Sequence, residues 1–187
     1  MERLLRFESV IAICALLISA ITGAAVVYQT HIIQNQYAAT IWPYLGVDTN
    51  VLNPRHVEIV IVNDGLGPAL IRSAQLFVDG RHLASWRDLA LTIGRDAKPG
   101  HAVFGTSSIN ASTTIRPGAT YRLFTAKLGA DAAPAALKRH VVTLRFCYCS
   151  LNNSCWSLQS VVGEVTGEYP KSVASCPIDS GISTPLL

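Results

Sequence analysis

The distribution of hydrophobic and polar positions separates this chain into an apolar N-terminal segment and a longer region of short, alternating segments. An apolar run without charged residues extends from Val10 to Tyr28, and it follows Arg3 and Arg6. No further lysine or arginine occurs before Arg55. These nineteen residues, at ~1.5 Å each in a helix, span roughly 28 Å, which matches the ~30 Å hydrocarbon core of a bilayer. We predict a transmembrane helix at residues 10–28 and place residues 1–9 in the cytoplasm, because arginine and lysine favour that side.

A cleaved signal peptide is the alternative interpretation of this segment. Ile18–Ala20 and Thr22–Ala25 both resemble the small-residue exit of a secretory signal. The apolar run is longer than the ~7–15 residues of a signal core, so we favour a retained anchor. Within the span, Ala15, Ser19 and Gly23 recur every four residues and form a candidate packing stripe for a second helix. Small residues are common in any membrane helix, so we favour ordinary composition as the explanation and keep helix packing as the alternative.

The helical pattern continues past the apolar run. No proline interrupts residues 8–42, and Ile33, Tyr37 and Ile41 occupy every fourth position, a spacing typical of a narrow apolar stripe on one helix face. Pro43 and Gly46 are signals that end a helix. We predict one helix of roughly 33 residues, about 50 Å long, in which residues 29–42 form an extramembrane stalk. The stripe is predicted to pack on the protein's own domain or on a partner helix, and residues 43–55 to form a linker.

The remaining residues, 56–187, carry the alternation and the turn residues that are typical of short β-strands. His56–Asn63 is rich in β-branched residues, and Ala69–Val78 follows it after the turn sequence Asn63–Pro68. Asp79-Gly80 is a signal for a tight hairpin. Further strands are predicted at residues 101–107, 120–125, 140–149 and 155–162.

Two short helices interrupt these strands. One is predicted at residues 86–91 with Ser85 as its cap, and the other at residues 132–139 with Asp131 as its cap. Short strands punctuated by turns predict a mainly β fold: an antiparallel, immunoglobulin-like β-sandwich with short helices.

Four of the five cysteines lie beyond the predicted span, in the compartment where disulfides persist: Cys147, Cys149, Cys155 and Cys176. Four cysteines allow three pairings, and Cys147 and Cys149, two apart on one strand, cannot bridge each other without bending it. Of the two remaining pairings we favour Cys149–Cys155 across a hairpin loop together with Cys147–Cys176, which joins the tail to the sheet. Four thiolates around zinc or copper(I) are the alternative, which an oxidising compartment disfavours.

Composition and motifs give little support for catalysis or for nucleic-acid binding. The formal net charge is +3, and no basic patch interleaved with aromatic residues is present. The sequence contains no phosphate-binding loop, nucleophile elbow or zinc-protease motif. Its five histidines stand in different segments: His31, His56, His82, His101 and His140. We therefore expect a protein without enzymatic activity, cofactor or metal, and without a nucleic-acid partner.

Three features follow one another along the chain. Trp42-Pro43 follows the anchor, the turn Asn63–Ala69 follows a strand, and Cys147–Ser150 precedes Cys155-Trp156. In these features the chain resembles a diffuse group of uncharacterised bacterial proteins that have an N-terminal membrane anchor and a small extracytoplasmic β domain. The resemblance covers most of the chain and implies an architecture, but it implies no catalytic residues.

A second resemblance is to type IV pilins and pseudopilins. The glutamate near the start of the apolar helix, the long helix and the cysteine-linked β domain are similar to theirs. Pilins are cleaved after a glycine just before the apolar segment, whereas Arg6-Phe7-Glu8 offers no glycine here. We therefore rank the pilin-like interpretation below the first resemblance.

Together these patterns predict a single-pass protein of the bacterial inner membrane, with its N-terminus in the cytoplasm and its β-sandwich in the periplasm. We expect an accessory or interaction subunit that contacts the bilayer and an integral-membrane or periplasmic protein, or a second copy of itself. A glycan- or lipid-binding module of the cell envelope is the alternative. A pilin-like assembly subunit and a metal-binding protein rank below it.

Overall fold

The computed structural model describes residues 2–96, 103–127, 137–163, 169–177 and 181–182, with the backbone alone for residues 2–10, 35, 38–40, 95 and 96. The chain forms two compact units, Met1–Thr40 and Ile41–Leu187. Of the sequence predictions, His101 and Asp131 lie outside the described residues, as does most of the helix at 132–139.

The first unit is a single helix, α1 (Glu2–Thr40). Within it, Ile11–Gln34 is long and apolar enough to cross a membrane, and none of its most apolar part is buried. This span is longer than the predicted residues 10–28. The helix ends at Thr40 and not at the predicted Trp42, because Pro43 disfavours the helical conformation of the residue before it. Ile41 therefore lies outside the helix, and the predicted stalk stripe is wrong at this position.

The second unit is mainly β. In chain order its elements are β1 (Leu45–Asn53), β2 (His56–Asn63), β3 (Ala69–Val78), β4 (Arg81–Leu83), α2 (Trp86–Asp96), β5 (Val103–Thr106), β6 (Thr114–Ile115), β7 (Thr120–Lys127), β8 (Val142–Cys149), β9 (Cys155–Val161) and β10 (Lys171–Val173).

The strands form two antiparallel sheets. The first has the order β1-β2-β7-β5, and the second has the order β10-β9-β8-β3-β4 with β6 paired to β3. β2 and β3 have the predicted bounds, and β8 and β9 form the predicted hairpin. Asp79 and Gly80 connect β3 to β4 with positive φ angles of 51° and 80°. Positive φ at both central residues is what a two-residue turn of this kind requires.

The predicted linker at residues 43–55 is wrong, because most of it forms β1. This strand pairs with β2 from Leu45 opposite Asn63 to Asn53 opposite His56, at the edge of the first sheet. Only Leu45 of this edge strand is fully buried and its second half is mostly exposed, so its sequence carries little apolar alternation. Val51 and Leu52 at its end are 55% and 57% exposed. The sandwich therefore begins before the predicted His56.

The core lies between the two sheets and under α2. Trp86 of α2 stacks on Phe124 of β7 with 5.8 Å between ring centroids, and both side chains are fully buried. Ser85 caps α2 as predicted: its hydroxyl accepts a hydrogen bond from the N–H of Asp88 at 3.3 Å and donates to the Asp88 carboxylate at 2.9 Å. The chain is thus an apolar N-terminal helix followed by a mainly β, two-sheet sandwich, as predicted. Its immunoglobulin-like character stays a prediction.

Candidate functional site

The chain enters the sandwich through a segment that is hydrogen-bonded to the turn between β2 and β3. We call residues 41–44 together with residues 63–68 the entry junction. The carbonyl of Trp42 accepts hydrogen bonds from the N–H groups of Leu66 at 2.9 Å and Gly67 at 3.2 Å. The carbonyl of Tyr44 accepts one from Asp64 at 2.8 Å. These backbone bonds hold the entering chain before β1 begins.

The side chain of Asn63, which is fully buried, organises the entry junction. Its Oδ1 accepts hydrogen bonds from the N–H groups of Tyr44 at 3.2 Å and Gly65 at 3.1 Å. Its Nδ2 donates to the carbonyls of Gly67 and Ile115, both at 2.9 Å. A buried amide is stable only when its donor and its acceptor are both satisfied. This one therefore joins the end of β2 to the entry segment, the turn and β6.

Gly65 and Gly67 are required because the entry segment and the turn approach each other closely. A Cβ atom at Gly65 would overlap the backbone of Trp42 and Tyr44, and one at Gly67 would overlap the backbone of Ile41. The two glycines that signal a turn in the sequence thus also allow the entry segment to pack directly on that turn.

An aromatic cluster lies beside the entry junction. The ring of Trp42 is 5.9 Å from that of Tyr44 and 6.5 Å from that of Trp156, and Trp156 stacks on Tyr148 at 5.9 Å. The Tyr148 hydroxyl accepts a hydrogen bond from the N–H of Leu45 at 3.3 Å, which links the second sheet to the first. Burial raises the pKa of Tyr148 to about 12, so this hydroxyl stays protonated at neutral pH.

Two disulfides lie on the outer face of the second sheet, at the ends of β8 and β9 nearest the entry junction. Cys147 is bonded to Cys176 with Cα atoms 5.6 Å apart, and Cys149 to Cys155 with Cα atoms 4.0 Å apart. This is the pairing favoured from the sequence. The first disulfide holds the segment after β10 to the sheet, and the second closes the β8–β9 hairpin.

The two disulfides are adjacent. The sulfur atoms of Cys149 and Cys176 are 3.8 Å apart, and those of Cys149, Cys155 and Cys176 all lie within 4.8 Å of one another. A metal such as zinc would require these sulfurs as thiolates, and the disulfides use all of them. The short distance instead allows exchange between the two bonds whenever one of the four sulfurs becomes a thiolate.

A polar cleft of about 400 Å³ lies on the outer face of the first sheet, lined by His56 and Glu58 of β2, Arg122 and Lys127 of β7, and residues 103–107. The carboxylate of Glu58, whose side chain is 11% exposed, lies 3.1 Å from Nε of Arg122 and 3.4 Å from Nε2 of His56. An ion pair with arginine compensates the burial of such a carboxylate. Because β2 runs from His56 to Asn63, the cleft lies at the end of the sandwich opposite the entry junction.

The chemistry of the cleft favours binding over proton transfer. Its buried carboxylate is already paired, while the guanidinium of Arg122 is 63% exposed and can still donate to an anionic or hydroxylated group. Nε2 of His56 is buried and has no hydrogen-bond partner among the described residues. Sequence reasoning missed this site, because only the pairing of β2 with β7 brings Glu58 and Arg122 together.

The other residues singled out from the sequence lie on α1 or directly follow it in the chain. Ala15, Ser19 and Gly23 are exposed on the helix, as are Ile33 and Tyr37 at 62% and 65%. Ile41 belongs to the sandwich unit, where its backbone lies against Gly67. Packing of these stripes on another helix stays a prediction.

Comparison of the chain with protein-family models, with curated proteins and with solved structures found no match. The functional proposal therefore rests on the apolar helix, the entry junction and the cleft.

Proposed function

We propose that this protein is a single-pass membrane protein that holds a β-sandwich outside the cytoplasm as an interaction subunit of a membrane or envelope complex. The observation that carries the proposal is the combination of one apolar span, Ile11–Gln34, with a domain that begins at Ile41 and is closed by two disulfides. Disulfides persist outside the cytoplasm, and Arg3 and Arg6 favour a cytoplasmic N-terminus. Both arguments support the same side of the membrane for the sandwich, in bacteria the periplasmic side of the inner membrane.

The proposed mechanism is positional. A short tether raises the effective concentration of a domain near partners in the same membrane to the ~mM range without adding contacts. Six residues separate Gln34 from Ile41, and Trp42 and Tyr44 are already hydrogen-bonded to the turn between β2 and β3, so the free tether is short. A weak contact with a membrane neighbour is then enough to keep the two proteins together.

The anchor and its orientation are tested with fusions to the C-terminus in a Gram-negative host. We expect an alkaline phosphatase fusion to be active and a fluorescent-protein fusion to be dark, since each reports on the side of the membrane it occupies. Membranes washed at alkaline pH should retain the protein, and its intact mass should include residues 1–25. Loss of those residues would contradict the anchor and indicate a cleaved signal.

The subunit role is tested separately by extraction in mild detergent followed by native mass measurement. A mass larger than one protomer, with a second protein or a second copy present, supports the role. A lone protomer at the protein's natural abundance contradicts it.

The second candidate function is the binding of a glycan or lipid headgroup of the envelope in the cleft. The exposed guanidinium of Arg122 beside the buried Glu58 carboxylate favours it. We expect Arg122→Gln to weaken binding to an array of envelope glycans and lipid headgroups. Arg145→Gln, which changes an exposed arginine on the other sheet, serves as the matched control.

A further inference from the structure

Three exposed apolar side chains stand at one end of the sandwich. Trp42 is 47% exposed, Leu66 is 73% exposed, and Leu151 is 59% exposed. Leu66 lies at the tip of the turn between β2 and β3, and Leu151 lies in the turn between β8 and β9. An exposed leucine alone needs no explanation, but three such side chains on three separate segments at one end form a surface.

The pairing of the strands shows that these segments are neighbours. The N–H of Leu66 donates to the carbonyl of Trp42, and the ring of Trp42 lies 6.5 Å from that of Trp156. Leu70, at the start of β3, pairs with Cys149, the last residue before the turn that carries Leu151. The segments that carry Trp42, Leu66 and Leu151 therefore lie around the point at which the chain enters the domain.

Chain length places this end close to the bilayer. The span Ile11–Gln34 has 24 residues, about 36 Å of helix, so a centred span ends about 3 Å beyond a ~30 Å hydrocarbon core. Thr40 lies six residues later, so it is about 12 Å beyond that core in an upright helix and nearer to it in a tilted one. The headgroup layer itself is ~5–7 Å thick. The sandwich therefore begins within a few ångströms of the outer surface of the headgroups.

We propose that this end of the sandwich rests on the membrane, with Trp42, Leu66 and Leu151 against the headgroup layer. The inference rests on the anchor of the proposed function and deepens it. Tryptophan is enriched at this depth because its ring is apolar and its N–H is polar. Asp64 and Arg116, in the adjacent turns, are both exposed, so their charges offset each other and contact does not depend on anionic lipid.

One consequence concerns the cleft. His56 is seven residues along β2 from Asn63 of the entry junction, a distance of about 23 Å at ~3.3 Å per residue. A sandwich that rests on its entry end presents the cleft away from the lipid, where a periplasmic partner or ligand can reach it.

Depth-dependent fluorescence quenching tests this contact. The full-length protein is placed in nanodiscs of phosphatidylcholine, with or without bromine on acyl carbons close to the headgroup. We expect brominated lipid to quench part of the tryptophan emission, and we expect Trp42→Phe to remove most of that quenched part. Trp86 is fully buried in the sandwich core and supplies an unquenched reference.

Single tryptophans introduced into the Trp42→Phe protein map the surface. Leu66→Trp and Leu151→Trp should each be quenched several-fold more than Leu52→Trp. Leu52 is a matched control because it is 57% exposed and lies at the opposite end, close to the β1–β2 turn. Both disulfides must be intact in every variant, as shown by a mass gain of no more than one alkyl group, on the free Cys14, after denaturing alkylation without reduction.

The outcomes separate this inference from the proposed function. A protein that does not co-elute with nanodiscs contradicts the anchor. A protein that co-elutes, but in which tryptophans at positions 66 and 151 are quenched no more than one at position 52, overturns the proposed contact and leaves the anchor standing. Equal quenching in neutral and anionic nanodiscs is expected; quenching confined to anionic lipid would overturn the contact as proposed here.

Discussion

Asn63 shows how much a single side chain contributes to the hydrogen bonding of the entry junction. Its amide donates to two carbonyls and accepts from two N–H groups, so an aspartate lacks the donors and a leucine lacks both functions. The turn sequence around Asn63 could be predicted from its glycines, proline and aspartate. The role of Asn63 in holding Tyr44 and Ile115 could not, because both partners are distant along the chain.

Gly67 supplies the first residue-scale prediction. In Gly67→Ala the new Cβ overlaps the backbone of Ile41, which cannot move as a flexible side chain can. We expect a loss of about 3 kcal/mol in the free energy of unfolding, the upper end for overpacking. Gly46→Ala is the matched control, because no atom lies within 4 Å of its added Cβ, and we expect a change within ~0.5 kcal/mol. Urea denaturation of the full chain in detergent measures both free energies of unfolding. Equal losses in the two variants would contradict the close approach of Gly67 to the backbone of Ile41.

Asp79 supplies a pH-dependent prediction. The hydrogen bond from His140 (Nδ1 to Oδ2, 2.7 Å), together with one from the N–H of Val141, lowers the pKa of Asp79 below its ordinary value. The unfolded chain therefore binds this proton at a higher pH than the folded chain. The resulting stabilisation is present above the ordinary pKa of ~3.9 and is lost as the pH falls through the lowered folded value.

The variant Asp79→Asn isolates this effect. Asparagine tolerates the left-handed conformation of the turn, so the hairpin is expected to remain. At pH 6 the variant should have a lower Tm than the wild type, and the difference should shrink as the pH approaches 3. A difference in Tm that is constant over this range would show that the carboxylate charge contributes nothing.

Among the elements, the strands with a buried apolar face could be predicted from the sequence, and the exposed edge strand could not. β2 and β3 could be located to the residue, because both are lined on the inward side by apolar residues and bounded by turn signals. β1 was missed because it is an edge strand with several exposed residues and a polar stretch, Asp48–Asn50. The end of α1 was misplaced by two residues, since spacing alone let Ile41 continue the stripe.

The two disulfides are predicted to differ in how much they stabilise the fold, because each closes a loop of different length between elements. Cys147–Cys176 links residues 29 apart, and Cys149–Cys155 links residues 6 apart. The longer loop restricts the unfolded chain more, so its removal should cost about 1 kcal/mol more stability than removal of the shorter one.

Two double variants test this order, Cys147→Ala with Cys176→Ala and Cys149→Ala with Cys155→Ala. Single variants are unsuitable, because a lone Cys176 thiol would lie 3.8 Å from Cys149 and exchange with its disulfide. Urea denaturation gives the two free energies of unfolding. A larger loss from the shorter loop would show that chain entropy does not govern these bonds.

At the scale of the whole molecule, the sequence was sufficient for the division into an apolar helix and a β-sandwich. Local patterns carry that information, since the helix is a continuous apolar run and the strands alternate. The cleft and the entry junction depend on pairs such as Glu58 with Arg122 and Asn63 with Ile115, which meet only when strands distant along the chain pair. No local pattern encodes such a meeting, so the candidate site had to come from the structure.

The position of β1 has a mechanical consequence. Under the proposed function, a partner bound at the far end of the sandwich and an anchor in the membrane would pull on the domain in opposite directions, roughly along the strands. The load enters through residues 41–44 and passes into β1, whose register with β2 is continuous from Leu45 to Val51. Antiparallel strands pulled lengthwise share the force among all their hydrogen bonds at once, in shear, and do not unzip one bond after another. In the proposed complex, β1 would therefore carry this tension in shear, and the domain would resist unfolding from its tethered end.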